Sequence, residues 1–306
     1  MPNRALQAAV AILCITSSAH AADAGAVKTG TPPGAVAEAP EQPDVPGGDI
    51  FGFTSGTDVG KVGDRGIAVE NSGAYGISNG RWRGLSQKLE FSGTFVEDWS
   101  FAASLFGAWS SLKNSSDFPN RTTYNFDGVS VEARYRAIER TATNPFAVTL
   151  AIEPRWSRLD GISGLYAPAF GAEFKGQVDA PVADRLYWAA NANFAIGRSR
   201  DPIDLTWSNA SESALSTALT YELMKDKLFF GAEIRWQHTW RTGFFGGLEG
   251  QALYAGPTVA WKPADNIMLN AVFLPQVSGQ ARSVSGPLDL DNFERANYRV
   301  KLAIGF

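Results

Sequence analysis

Three patterns predict an all-β chain folded as a transmembrane up-and-down antiparallel β-barrel of about twelve strands, with short turns at one rim and longer loops at the other. From residue 65 to residue 306, apolar and polar side chains alternate in long runs, the period of a strand with two unlike faces. The runs are broken in turn by brief and by longer polar sequences, as in a barrel whose hairpins open to opposite sides. The chain ends on NYRVKLAIGF, where Val300, Leu302, Ile304 and Phe306 share one face and Arg299, Lys301, Ala303 and Gly305 the other. Glycine (31) and aromatics (12%) suit strands and turns better than helices.

The first residues belong to something else. MPNRALQAAVAILCITSSAHAADAG has Arg4, an apolar run over 5–15 and a small-residue end at Ala19-His20-Ala21. That layout predicts a secretory signal peptide, residues 1–21, with an apolar run too short to span a bilayer. Cys14 raises a lipid-anchor alternative, which Ile12 and Leu13 oppose because such a cleavage needs small residues. Cys14 is the single cysteine, so neither a disulfide nor a thiolate metal site is expected after cleavage. Residues 22–49 are rich in Ala, Pro and Gly with no aromatic side chain, too little apolar surface to repay ordering, and read as a flexible periplasmic leader.

Residues 50–64 form a Gly-rich lead-in. Gly56-Thr57-Asp58-Val59-Gly60-Lys61 invites a phosphate-loop reading, but one residue is missing between the glycines and Val62 stands where a Ser or Thr would bind magnesium. Loss of Arg4 with the signal leaves 26 basic against 31 acidic residues, a balance that argues against nucleic acid as a partner.

The barrel occupies 65–306, with strands expected near 65–78, 85–96, 99–112, 126–138, 145–158, 167–179, 185–198, 212–224, 227–240, 250–263, 266–277 and 294–306. Short connections such as VEDW, APVADR, LMKDKL and KPADN interleave with KNSSDFPNRTTYN, RSRDPIDLTWSNA and SGQARSVSGPLDLDN. An even strand number puts both barrel ends on the short-turn side. One parity carries Phe91, Phe101, Leu105, Leu150, Phe230 and Ile234, and the other carries charge. A secreted β-sandwich would need apolar inner faces. Lipid outside and ion pairs or water inside fit these strands better. Leu150 and Phe230 should then face lipid, and Thr149 and Glu233 a lumen in which Thr149 tolerates arginine.

With its terminal YRVKLAIGF and this strand–turn rhythm, the chain resembles Gram-negative outer-membrane barrel proteins. The resemblance implies that Tyr298, Val300, Leu302, Ile304 and Phe306 form the signal read by the barrel-assembly machinery. It also implies outer-membrane lipid, lipopolysaccharide and small solutes as further partners. In size the chain looks like the twelve-stranded channels for nucleosides, acidic sugars and hydrophobic compounds.

The inward parity holds Glu132, Arg134, Arg136, Glu153, Arg155, Glu173, Lys175, Glu233, Arg235, Arg295, Arg299 and Lys301. Such a lining sets ion selectivity in a passive channel, and the basic surplus at Arg134, Arg136, Arg295, Arg299 and Lys301 implies mild anion preference. The alternative is a closed structural or loop-displaying barrel, in which Glu132–Arg134, Glu153–Arg155, Glu173–Lys175 and Glu233–Arg235 neutralise one another. A lipid hydrolase needs a His activating a nearby Ser, and His238 has Trp240 two places on instead. Asp289, Asp291 and Glu294 lack calcium-loop spacing. No catalytic, cofactor or metal residues are therefore assigned.

Overall fold

The computed structural model describes residues 45–47 and 49–306. The expected signal peptide and most of the leader lie outside the described residues. Twelve strands follow: β1 (Arg65–Tyr75), β2 (Arg81–Val96), β3 (Trp99–Lys113), β4 (Arg121–Ile138), β5 (Ala147–Leu159), β6 (Tyr166–Ala183), β7 (Leu186–Arg200), β8 (Trp207–Met224), β9 (Leu228–Trp240), β10 (Leu248–Ala264), β11 (Ile267–Ala281) and β12 (Ala296–Gly305). Each pairs antiparallel with its chain neighbours, and β1 pairs with β12 from Gly66↔Gly305 to Tyr75↔Ala296. Closure leaves no strand edge unpaired.

At one rim the strands are joined by two or three residues: 97–98, 184–185, 225–227 and 265–266. Asp98, Arg185 and Asp226 take the left-handed backbone that such tight turns demand. Residues 139–146 are the exception on this rim. The opposite rim carries 76–80, 114–120, 160–165, 201–206, 241–247 and 282–295, so both ends of the barrel lie at the short-turn rim as expected.

Three strands begin at least four residues earlier than the sequence suggests: β2 at Arg81, β4 at Arg121 and β8 at Trp207. Thr122 and Tyr124 pair with Ser111 and Trp109. Apolar alternation marks only the lipid belt, whereas the hydrogen-bonded ladder continues past it among polar residues.

The faces are those of a barrel in lipid. Phe91, Leu105, Leu150, Phe230 and Leu302 are exposed on the outside, while Lys88, Ser104, Glu233 and Lys301 are buried inside. In hydrocarbon a sheet satisfies every backbone group only when its ladder closes. Trp99 and Tyr135 meet at the short-turn rim (ring centroids 4.9 Å), where amphipathic rings suit a membrane interface. Next to the closure, Tyr298 lies over Gly73, where a Cβ would collide with its ring.

Leu105 is 48% exposed in the middle of β3 and Leu223 is 51% exposed at the short-turn end of β8. Leu105→Arg is expected to destabilise the refolded barrel by about 2–4 kcal/mol and Leu223→Arg by about 0–1, following the depth dependence of arginine on a lipid face. Urea unfolding in lipid vesicles measures both, and equal losses would contradict this depth assignment.

Candidate functional site

The interior is filled, and much of the filling comes from the residues before β1. Residues 49–60 trace an arc around the inner wall, from β11 and β12 past β9, β7, β6 and β5 to β4 and β2. A segment this rich in glycine forms no ladder of its own, so its backbone groups need partners elsewhere. The wall supplies them.

Asn270 donates to Asp49 O (3.0 Å) and to Phe51 O, Lys301 Nζ meets Asp49 Oδ1 at 3.0 Å, and Arg299 donates to Gly52 O. Thr54 donates its N–H to Glu233 Oε1 (2.8 Å) and its hydroxyl to Ser216 Oγ (2.9 Å). The amide of Asn191, with its oxygen turned toward Ser55, accepts from Ser55 N (2.8 Å) and donates to Ser55 O (2.9 Å). Thr57 N–H donates to Asp179 (2.7 Å), and Thr57 O accepts from Thr149 (2.5 Å). Arg134 donates to Gly56 O, Arg136 to Gly60 O and Thr94 to Val59 O. The two outer glycines of the rejected phosphate loop thus serve as carbonyl acceptors for wall arginines.

Apolar anchors hold the same segment. Ile50 and Phe51 pack with Phe229, Ala218 and Met268 near the short-turn rim. Phe53 packs with Tyr254, Leu274 and Phe293, under the guanidinium groups of Arg235 and Arg299 at 5.2 Å each. At Gly52 a Cβ would run into Glu233, Thr258 and Val272, so only glycine lets the chain approach the wall there.

Beside this segment lies an ion network running mainly across strands. Lys175 Nζ reaches Glu153 (2.5 Å), Glu132 (2.6 Å) and Glu173 (3.5 Å), and its side chain is 0% exposed. Lys88 pairs with Glu90 (3.2 Å), Arg299 with Glu70 (3.6 Å) and Arg155 with Asp127 (2.7 Å). Asp127 sits at an irregularity in the β3–β4 pairing, which adds a carboxylate that plain alternation hides.

Of the lumen residues read from the sequence, Glu132, Arg134, Glu153, Glu173, Lys175, Glu233, Arg235, Arg299 and Lys301 are buried, and Arg136 and Arg155 are partly buried. Arg295 is the correction. It precedes β12, is exposed, and bonds through its backbone N–H to Tyr75 O and Gly76 O at the long-loop rim. The alternation fails there because Phe293 and Glu294 turn into the barrel before the strand begins. Thr149 is a second correction: fully buried against Thr57, it leaves no room for arginine. Tyr298, Val300, Leu302, Ile304 and Phe306 form a stripe on the outer side, with Tyr298 half-buried.

The long-loop end is also packed. Tyr254 donates to Glu294 O (2.8 Å), Gln276 to Asp289 O (3.1 Å) and Ser110 to Ile162 O (2.6 Å). The three acidic residues of the β11–β12 loop part company. Asp289 accepts from Asn292, Asp291 accepts from Ser283, and Glu294 is buried. Among the described residues no group of three or more His, Cys, Asp and Glu is placed to hold a metal ion. His238 faces outward between Trp236 and Trp240, at centroid distances of 4.4 and 5.5 Å.

A closed antiparallel barrel with an apolar outside and an ion-paired interior is the architecture of an outer-membrane barrel. The chain belongs to the family of unknown function DUF6662, whose model matches residues 44–306. No curated protein matches the sequence. Among solved structures it is similar to the COG4313 outer membrane channel from Pseudomonas putida F1, at 10% identity and a TM-score of 0.54, over 80% of this chain and 96% of that one. It also matches the NanC porin (13% identity, TM-score 0.44, 78% and 98% covered) and the β domain of the Bordetella autotransporter BrkA (13%, 0.49, 79% and 99%). At 10% identity the likeness to the COG4313 channel speaks for the barrel fold alone.

Lys175→Met leaves three buried carboxylates without their shared cation. Breaking a buried ion pair from one side costs about 3–5 kcal/mol, so the variant should lose that order of stability in urea unfolding, and Lys175→Arg less. Parent-like stability in Lys175→Met would contradict the network.

Burial pushes the Glu294 carboxyl from its ordinary 4.5 up to about 7, against the downward pull of its own backbone N–H and of Arg235. Between those values the folded state holds a proton that the unfolded chain has lost, so stability falls as pH rises through this window. Hydrogen exchange in residues 282–295 should therefore be slower at pH 5 than at pH 8, once corrected for intrinsic rates. Glu294→Gln should flatten the difference; a loop insensitive to pH in the parent would refute the assignment.

Proposed function

We propose that this chain is exported by the signal peptide at 1–21 and assembled through its Tyr298–Phe306 stripe. In the outer membrane it acts as a porin-like channel whose lumen residues 49–60 close in the state described here. The observation that carries this reading is how the segment is held. Its backbone meets wall side chains such as Glu233, Asp179, Arg134 and Arg299 through hydrogen bonds, which water can replace when the segment leaves. The departing segment would uncover a charged, wettable tube suited to small polar solutes. Catalysis is not part of the reading.

The lumen lining sets the sign of selectivity. Inward strand residues comprise eight basic side chains (Lys88, Arg134, Lys175, Arg235, Arg299 and Lys301, with the partly buried Arg136 and Arg155) and ten acidic ones (Glu70, Glu90, Asp127, Glu132, Glu153, Glu173, Asp179, Glu212, Glu222, Glu233). The anion preference expected from sequence drew on Arg295 and omitted Asp127, Asp179 and Glu212. With the larger acidic set, the unplugged lumen favours cations. The buried Lys175 cluster favours a second reading, a permanently closed scaffold.

Thr54 and Ser216 touch through their hydroxyls, so Thr54→Cys with Ser216→Cys tethers the segment in a chain from residue 22 onward that has no other cysteine. In planar bilayers the reduced variant should show cation-preferring conductance steps and the oxidised one silence. Silence in both, and in a variant lacking residues 45–60, would favour the scaffold. Equal current in both would show that the segment is no gate.

A further inference from the structure

The outer face of β8–β11 holds a groove of about 670 Å³ that the channel reading does not use. Strand parity turns its main lining residues Leu215, Thr217, Ile234, Trp236, Gln251 and Gln280 outward: Leu215 pairs with Trp236, and Gln251 with Gln280. The pairing of β10 with β11 shifts register between Leu253 and Tyr254, leaving Val277 as an extra residue on β11. Such a bulge bends a strand and re-aims the side chains beyond it. Here the residues beyond it are Ser278 and Gln280.

Two features separate the groove from the plain lipid-facing wall. Amide side chains stand at its long-loop end, where Gln251 Nε2 donates to Gln280 Oε1 at 3.3 Å. Next along the same strands, Arg241 and Arg282 converge on Glu249 at 2.7 and 3.7 Å. Their side chains are 54% and 61% exposed. At the rim above the groove two exposed cations thus share one carboxylate. A shoulder of rings stands beside it, His238 stacked on Trp240 and Phe245 set edge-on to Trp240.

We infer that this groove seats one phosphorylated, multiply acylated lipid of the outer leaflet, the chemistry of lipopolysaccharide's membrane anchor. Its acyl chain lies along Leu215, Ile234 and Trp236, its amide or ester linkages meet Gln251 and Gln280, and its phosphate sits on Arg241 and Arg282. The order along the strands, from apolar groove through amides to cations, matches the order of groups in such a lipid from the bilayer core to its surface. The inference rests on the outer-membrane reading above and is independent of conduction.

The test uses the full barrel in detergent micelles, native mass spectrometry and purified bis-phosphorylated lipid A as probe, with its dephosphorylated form as comparison. One lipid A should stay bound to the parent. Arg241→Gln with Arg282→Gln should weaken retention roughly tenfold or more, on the scale of basic residues at an anionic lipid surface. The dephosphorylated lipid should bind the parent as weakly. Thr217→Trp, which fills the groove and leaves the arginines in place, should also release lipid A. Parent-like retention in the double arginine variant, or equal binding of the dephosphorylated lipid, would overturn the phosphate seat, and full retention in Thr217→Trp would overturn the groove. A barrel that binds lipid A and conducts nothing refutes the channel alone. A chain that fails to form a heat-modifiable barrel in micelles refutes the membrane reading and this inference together.

Discussion

A charge enclosed by a wall whose outside is hydrocarbon has to find its partner within the wall, and the rest of this structure follows from that. Lys175 is wholly buried among Glu132, Glu153 and Glu173, and Arg299 lies between Glu70 and the Gly52 carbonyl. A buried polar group left without a partner costs about 1–3 kcal/mol, and more when charged. The strands alone do not meet the demand. Residues 49–60 supply further partners, offering backbone donors to Glu233 and Asp179 and carbonyls to Arg134, Arg136, Asn270 and Arg299. Segment and wall are one electrostatic unit. The glycines at 52, 56 and 60 serve it in two ways: close approach to the wall at Gly52, and bare carbonyls at all three.

The same constraint links the closed state to a channel. An interior filled by apolar packing alone would collapse or stay shut. Here the apolar anchors Ile50, Phe51 and Phe53 are few, and most of the remaining contacts are of a kind that water can take over. On the proposed channel reading, opening would exchange protein hydrogen bonds for hydration, and the surface revealed would carry more carboxylates than cations.

Much of the barrel was legible in the sequence because alternation reports directly on two unlike solvents. The parity that placed Phe91 and Leu105 outside and Glu153 and Lys175 inside holds around the wall, and an even strand count places both ends together. What stayed hidden has local causes. Arg295 shares the parity of Arg299 and Lys301, yet parity means nothing before the strand begins at Ala296. Asp127 escaped because an extra residue in β4 breaks the period. The starts of β4 and β8 were set too late because polar residues extend a ladder as well as apolar ones. The lodging of residues 49–60 had no periodic signal at all. Its trace lies in composition: hydroxyls and glycines interleaved with Phe51 and Phe53, immediately before a wall rich in inward carboxylates. The outer groove was likewise invisible, since it depends on a bulge, and the arginines beside it come from different loops.

The most direct test of the account is amide hydrogen exchange on residues 49–60 in the refolded barrel. Thr54 N–H and Thr57 N–H, held by Glu233 and Asp179, should exchange far more slowly than free amides, and Glu233→Met with Asp179→Val, which remove both acceptors, should release both. Exchange at the rate of an unstructured peptide in the parent would show that the lumen charges are satisfied without this segment, and the central claim would fall.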